Sequence, residues 1–229
     1  MASIDPLTSD QDLRDKYFHD KRLEFEMNCN AGSMGACFSL GEWWQLFGKD
    51  ANKAQDLYTT TCIEGKFGNA CFNMAKLYLA GKVDDASTAK TKGVEFLDRA
   101  CAYGNSESCG VLGSFKLLGE QCDQDVPEAQ RLFKLACEEN DSKSCFKLGR
   151  TFLDGETKHG VPRDAVAAFP YMKKACELGD ANGCQILAVM YAKGDGVEKN
   201  TKFSKEYKDL TLEILEQTGG SMKNTKPLV

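Results

Sequence analysis

Cys137-Glu138-Glu139-Asn140-Asp141-Ser142-Lys143-Ser144-Cys145 sets two cysteines eight residues apart, one where an apolar helical pattern ends and one where the next begins. The device recurs as Cys29/Cys37, Cys62/Cys71, Cys101/Cys109 and Cys176/Cys184, with a spacing of eight everywhere except Cys62/Cys71, where it is nine. Successive second cysteines lie 34, 38, 36 and 39 residues apart. A self-similar period of that size, with two helices per unit, marks an α-solenoid. No segment sustains alternation at period two, so the expected fold is all-α, without sheet.

Each second cysteine opens a block that aligns by eye: Cys37 to Gly41, Cys71 to Ala75, Cys109 to Gly113, Cys145 to Gly149 and Cys184 to Ala188. The pattern is Cys, two residues, Leu or Met, then Gly or Ala, and a tiny residue at a fixed helical position lets another chain segment come close. An aromatic follows three places on, at Trp44, Tyr78, Phe152 and Tyr191; in the third block Phe115 stands one place early and Lys116 holds the register. The blocks stop at Gly48, Gly81, Gly119, Gly155 and Gly194. Second helices are expected over about 50–64, 88–103, 125–139, 163–178 and 201–217, with Pro170 bending the fourth.

The chain thus reads as one array over 1–229. A helix at 8–30 leads, with Leu13, Tyr17, Leu23 and Met27 near one face. Repeats follow at 33–65, 66–104, 105–140, 141–179 and 180–217, and 218–229 is a frayed tail. A net charge of -5 argues against nucleic-acid binding. No apolar run is long enough to span a bilayer. The N-terminus is acidic and lacks an apolar core, so neither a secretory signal nor an arginine-rich transit peptide is expected. Eleven cysteines are nevertheless too many for an ordinary cytosolic protein.

The blocks resemble Sel1-like repeats, relatives of the tetratricopeptide helix pair. Glu177-Leu178-Gly179-Asp180-Ala181 and Gly194-Asp195-Gly196-Val197-Glu198-Lys199-Asn200 match that pattern closely, and the resemblance covers about 8–217. In ordinary Sel1-like repeats both corner positions are typically alanine. Here both are cysteine in all five corners, never one alone. Small core residues would switch independently; switching in step points to five disulfides, Cys29–Cys37, Cys62–Cys71, Cys101–Cys109, Cys137–Cys145 and Cys176–Cys184. On the chain-entropy account a loop of about nine residues gives ~2.6 kcal/mol per bridge.

Among cysteine-rich members, the chain is more similar to the cytochrome c oxidase assembly factor 7 family of the mitochondrial intermembrane space than to the secreted cysteine-rich family of Helicobacter. Length, five corners, a leading helix and the lack of a signal carry that likeness. It implies a non-enzymatic role in assembling respiratory complex IV, a home in the intermembrane space, haem as a candidate cofactor, and protein partners among respiratory-chain assembly factors or subunits. A monomer is expected. The alternatives are a secreted β-lactamase or penicillin-binding protein and a generic Sel1-like adaptor.

Individual residues refine this reading. Cys122 is the odd thiol, expected free in a loop. Cysteines eight apart without CxxC pairs do not fit zinc spacing, so no metal site is expected. His19 and His159 are the only histidines, each more simply surface than an axial haem ligand. Ser87-Thr88-Ala89-Lys90 and Ser144-Cys145-Phe146-Lys147 match a Ser-x-x-Lys element, but its Ser-Asp-Asn and Lys-Thr-Gly partners are missing from the sequence. Trp44 occupies the core aromatic position and is expected buried, while neighbouring Trp43 projects differently and is the candidate for partner contact.

Overall fold

The computed structural model describes residues 11–82, 88–155 and 160–219. The chain divides into two compact units, Met1–Asn105 and Ser106–Val229. The described residues of the first hold α1 (Gln11–Asn30), α2 (Met34–Trp43), a π turn (Trp44–Gly48), α3 (Ala51–Ile63), α4 (Gly68–Leu79) and α5 (Ala89–Ala102). The second holds α6 (Ser106–Leu118), α7 (Val126–Glu138), α8 (Ser142–Asp154), α9 (Ala165–Glu177), α10 (Ala181–Lys193) and α11 (Thr201–Gln217). No strand occurs among the described residues. Within each unit, helices consecutive in the chain pack on one another.

Local chemistry sets where these helices begin. Asp50, Asp125, Asp141, Asp164 and Asp180 accept a hydrogen bond from the backbone N–H three residues on, at 2.8–3.1 Å. Ser33 and Asn200 cap α2 and α11 in the same way. Each cap is worth about 1 kcal/mol. Pro170 lies inside α9, which continues to Glu177; its ring is on the exposed face, where water can serve the carbonyl left without a partner.

In the three blocks where the tiny residue is glycine it has a definite tenant. A Cβ on Gly41 would meet the Tyr58 ring at 2.7 Å, one on Gly113 the Phe133 ring at 2.9 Å, and one on Gly149 the end of Met172 at 2.7 Å. Tyr58, Phe133 and Met172 are the large, fully buried side chains of the following helix. Beside them Ala54, Ala129 and Ala168 are fully buried too. The close approach is therefore chiefly helix against side chain, not backbone against backbone. One turn further on, the register aromatics stack on rings of the next helix: Tyr78 on Phe96, Phe152 on Tyr171 and Tyr191 on Tyr207, with centroids 5.4–6.0 Å apart.

The leading helix departs from expectation. Residues 8–10 lie outside the described residues, and the face of α1 chosen from the sequence is the wrong one. Leu13, Tyr17, Leu23 and Met27 are all exposed. Phe18, Phe25 and Cys29 lie on the opposite, partly buried side. The helix is apolar on both sides, so periodicity alone does not select the packed face; the Cys29 bridge does.

Candidate functional site

The corners were built by the elements around them. At the end of a helix Cys29, Cys62, Cys137 and Cys176 meet Cys37, Cys71, Cys145 and Cys184 in the first turns of the next. Sulfur–sulfur distances are 2.03, 2.10, 2.05 and 2.05 Å, with Cα atoms 4.6–4.8 Å apart, inside the range a bridge requires. Cys101 and Cys109 are disulfide-bonded as well. Most of these sulfurs are buried, Cys29 and Cys101 only partly. The bridges constrain the chain and offer no open thiol. Cys122 is free and half-buried in the loop before α7.

The Trp43–Trp44 region differs from what the sequence suggested. Trp43 is not a free surface ring: its indole N–H donates to the Phe18 carbonyl of α1 at 3.1 Å, and it is half-buried. Trp44 is not a buried core ring either. It is half-buried, edge-on to Trp43 at 5.0 Å, with the Lys53 ammonium 4.0 Å from its centroid. The exposed apolar groups here are Leu46 and Phe47, at 64% and 50%, which sequence reasoning missed. Phe47 faces Phe18 with centroids 4.4 Å apart.

Between α1 and the π turn these rings wall an open groove of about 460 Å³, lined by Asp15, Phe18, His19, Arg22, Trp43, Leu46, Phe47 and Lys49. The π turn beside it is held at three points. The Tyr58 hydroxyl donates to Gln45 Oε1 at 2.9 Å, and burial pushes the Tyr58 pKa well above its ordinary value. The Asp50 N–H donates to the Trp44 carbonyl at 3.0 Å. Gly48 lies under both indoles, where a Cβ would meet Trp44 at 2.3 Å and Trp43 at 2.8 Å. The groove is built to keep its shape.

The remaining candidates separate cleanly. His19 sits on the groove wall beside Asp20, its side chain 61% exposed. Among the described residues no second histidine, methionine or cysteine lines that groove, so the haem implication finds one donor there and no partner donor. His159 and Ser87 lie outside the described residues. Ser144 is fully buried, its hydroxyl closed off from any substrate. Lys147 donates instead to Ser114 Oγ at 2.7 Å. Burial lowers the Lys147 pKa, with Asp141 opposing. No group of three or more metal-binding side chains is assembled among the described residues. No helix among them is long and apolar enough to cross a membrane.

Comparison with known proteins places this geometry. The chain is 26% identical over 245 residues to the cytochrome c oxidase assembly factor 7 homolog of Drosophila melanogaster, covering 92% of each chain. It is 24% identical to cytochrome c oxidase assembly factor 7 of Homo sapiens, covering 96% of this chain and 95% of that one. In fold it is similar to a protective antigen of uropathogenic Escherichia coli described as displaying an SLR fold, with a TM-score of 0.72 at 24% identity. That match covers 87% of this chain, which spans 41% of the antigen. The Sel1 repeat pattern matches five times, at 35–64, 68–105, 106–141, 142–180 and 181–207. With capped helix pairs and cysteine corners repeating through those segments, the chain belongs to the Sel1 repeat family.

Proposed function

We propose that the protein is a non-enzymatic, monomeric scaffold for assembly of mitochondrial respiratory complex IV, acting in the intermembrane space. The observation that carries this reading is the end-to-end similarity to proteins named as cytochrome c oxidase assembly factors, over more than nine tenths of both chains. Sel1 repeats are protein-interaction modules, and helical repeat arrays work by presenting surface to partners. Bridged corners fit an oxidising compartment, where disulfides persist, rather than the cytosol or matrix.

Two measurements test the proposal. In swollen mitochondria, protease should reach the protein once the outer membrane is ruptured, and thiol counting after non-reducing denaturation should find one free thiol. Depleting the protein should lower assembled complex IV on native gels while complexes lacking haem–copper subunits hold their level. Unchanged complex IV in cells without the protein would overturn the assembly role. A matrix location, or close to eleven free thiols, would overturn the compartment.

A further inference from the structure

In four of the five repeats a glycine stands ten residues after the second corner cysteine: Gly81, Gly119, Gly155 and Gly194. Each adopts a positive φ, between 50° and 74°, and turns the chain out of its helix. In the first repeat the glycine is Gly48, eleven residues after Cys37, and the left-handed residue is Lys49, at φ 51°. The helix of the first repeat therefore runs on further before it turns, although this repeat is the shortest of the set, with 34 residues to the next second cysteine. It closes in the π turn Trp44–Gly48, a form that recurs at functional sites.

The π turn changes what is on the surface. Leu46 and Phe47 are turned outward, and with Phe18 and Trp43 they form the apolar walls of the groove beside α1. Around those walls stand Arg22 and Lys49 against one carboxylate, Asp15, with His19 between. Arg22 is shared with Glu26 at 2.9 Å and the nearby Asp50 pairs with Lys53, whereas Lys49 makes no ion pair among the described residues. Among the side chains that line the groove two cations stand to one carboxylate, and Lys49 is the cation left to a ligand, on a chain whose net charge is -5, so the groove favours a charge that most of this protein's surface repels.

We infer that this groove docks an amphipathic segment of a partner protein, one that inserts a single aromatic or branched aliphatic side chain between Phe18, Trp43 and Phe47 and sets carboxylates against Lys49 and Arg22. The inference deepens the scaffold reading and rests on it only for the existence of a protein partner. Rigid aromatic walls and a charged rim are the usual anatomy of an anchor site.

Trp43 lines this groove and Trp44, the other tryptophan of the chain, packs edge-on against it, so intrinsic fluorescence reports on it. The probes are synthetic helix-prone peptides without tryptophan or tyrosine, bearing one central phenylalanine flanked by glutamates, with lysine-flanked and serine-for-phenylalanine controls. The glutamate-flanked peptide should shift the emission and bind at least tenfold more tightly than either control. Phe47→Ser should weaken it at least tenfold, while Leu118→Ser, at a leucine of similar exposure, should leave it unchanged. Lys49→Glu should keep the helical circular dichroism and move the preference toward the lysine-flanked peptide. Equal binding of the acidic and basic peptides, no binding by any of them, or indifference to Phe47→Ser would overturn the inference. A dimer of the free protein that is lost with Phe47→Ser would overturn it in favour of a second copy. These outcomes are read on purified protein, so failure of the complex IV reading leaves them standing and is told apart.

Discussion

The first and fourth repeats follow one plan and differ in how the helix after the corner ends. Both open on a corner disulfide with a loop of the same length, Cys29–Cys37 and Cys137–Cys145. Both seat a large buried side chain over a glycine, Tyr58 on Gly41 and Met172 on Gly149. In the fourth, the helix ends on time at Gly155, Phe152 stacks on Tyr171, and Arg150 grips Asp154 through two bonds of 2.9 Å. In the first, the helix runs on into a π turn, which sets Trp43 against α1 and leaves Leu46 and Phe47 in solvent. A repeat can thus acquire a surface without losing its core, provided the change falls after the corner and the glycine contact have been made.

The largest effect should come from the corners, and the comparison predicts that it is shared. Replacing Cys137 and Cys145 together by alanine should cost about 2.6 kcal/mol, and so should replacing Cys29 and Cys37, because the closed loops are equally long. Urea denaturation measures both. A much smaller loss at Cys29–Cys37 would show that α1 is held mainly by its rings. Next come the glycine seats: Gly149→Ala and Gly41→Ala should each cost about 1–3 kcal/mol through overpacking. Thermal melts should rank Gly41→Ala the worse, since a rigid Tyr58 ring yields less readily than the flexible end of Met172.

Deleting Leu46 tests the comparison directly. The deletion restores the ten-residue spacing of the other repeats, so stability should change by less than about 1 kcal/mol while emission from the two tryptophans changes. A cooperative unfolding loss larger than that of the glycine variants would mean that the π turn is structural. The smallest effect is at Lys147, whose place is taken by Ile186 in the fifth repeat and Ser39 in the first. Burial holds its pKa below the ordinary 10.5, so the folded protein binds that proton less tightly than the unfolded chain. The penalty is fully present below the lowered pKa and fades as pH rises through it toward 10.5. Lys147→Met should therefore raise Tm by about 1–2 °C at pH 7, and the gain should shrink toward pH 10.

Much of the fold was legible because it is periodic. Expected second helices at 50–64, 88–103, 125–139 and 201–217 meet observed helices at Ala51–Ile63, Ala89–Ala102, Val126–Glu138 and Thr201–Gln217. The candidate site was far less legible. Trp43 was expected to project free for partner contact and instead lines the groove with its N–H bound to Phe18, at a separation of 25 residues. One signal was available, the eleven-residue interval from Cys37 to Gly48 where the other repeats have ten.

By itself the sequence determined the repeat, the helix ends and the pairing of corner positions. These follow from interactions within a few residues, namely Asx and Ser caps, glycine stops and cysteines that can meet only across a short corner. The tertiary structure alone decided which side of α1 packs, that the first repeat's helix ends in a π turn, and that Leu46 and Phe47 wall a groove rather than join a core. The physical reason is that α1 is apolar on both sides and a shifted glycine can end an α-helix, a π turn or a loop at similar local cost. Only contacts between helices, Trp43 on Phe18 and Tyr58 on Gln45, choose among them.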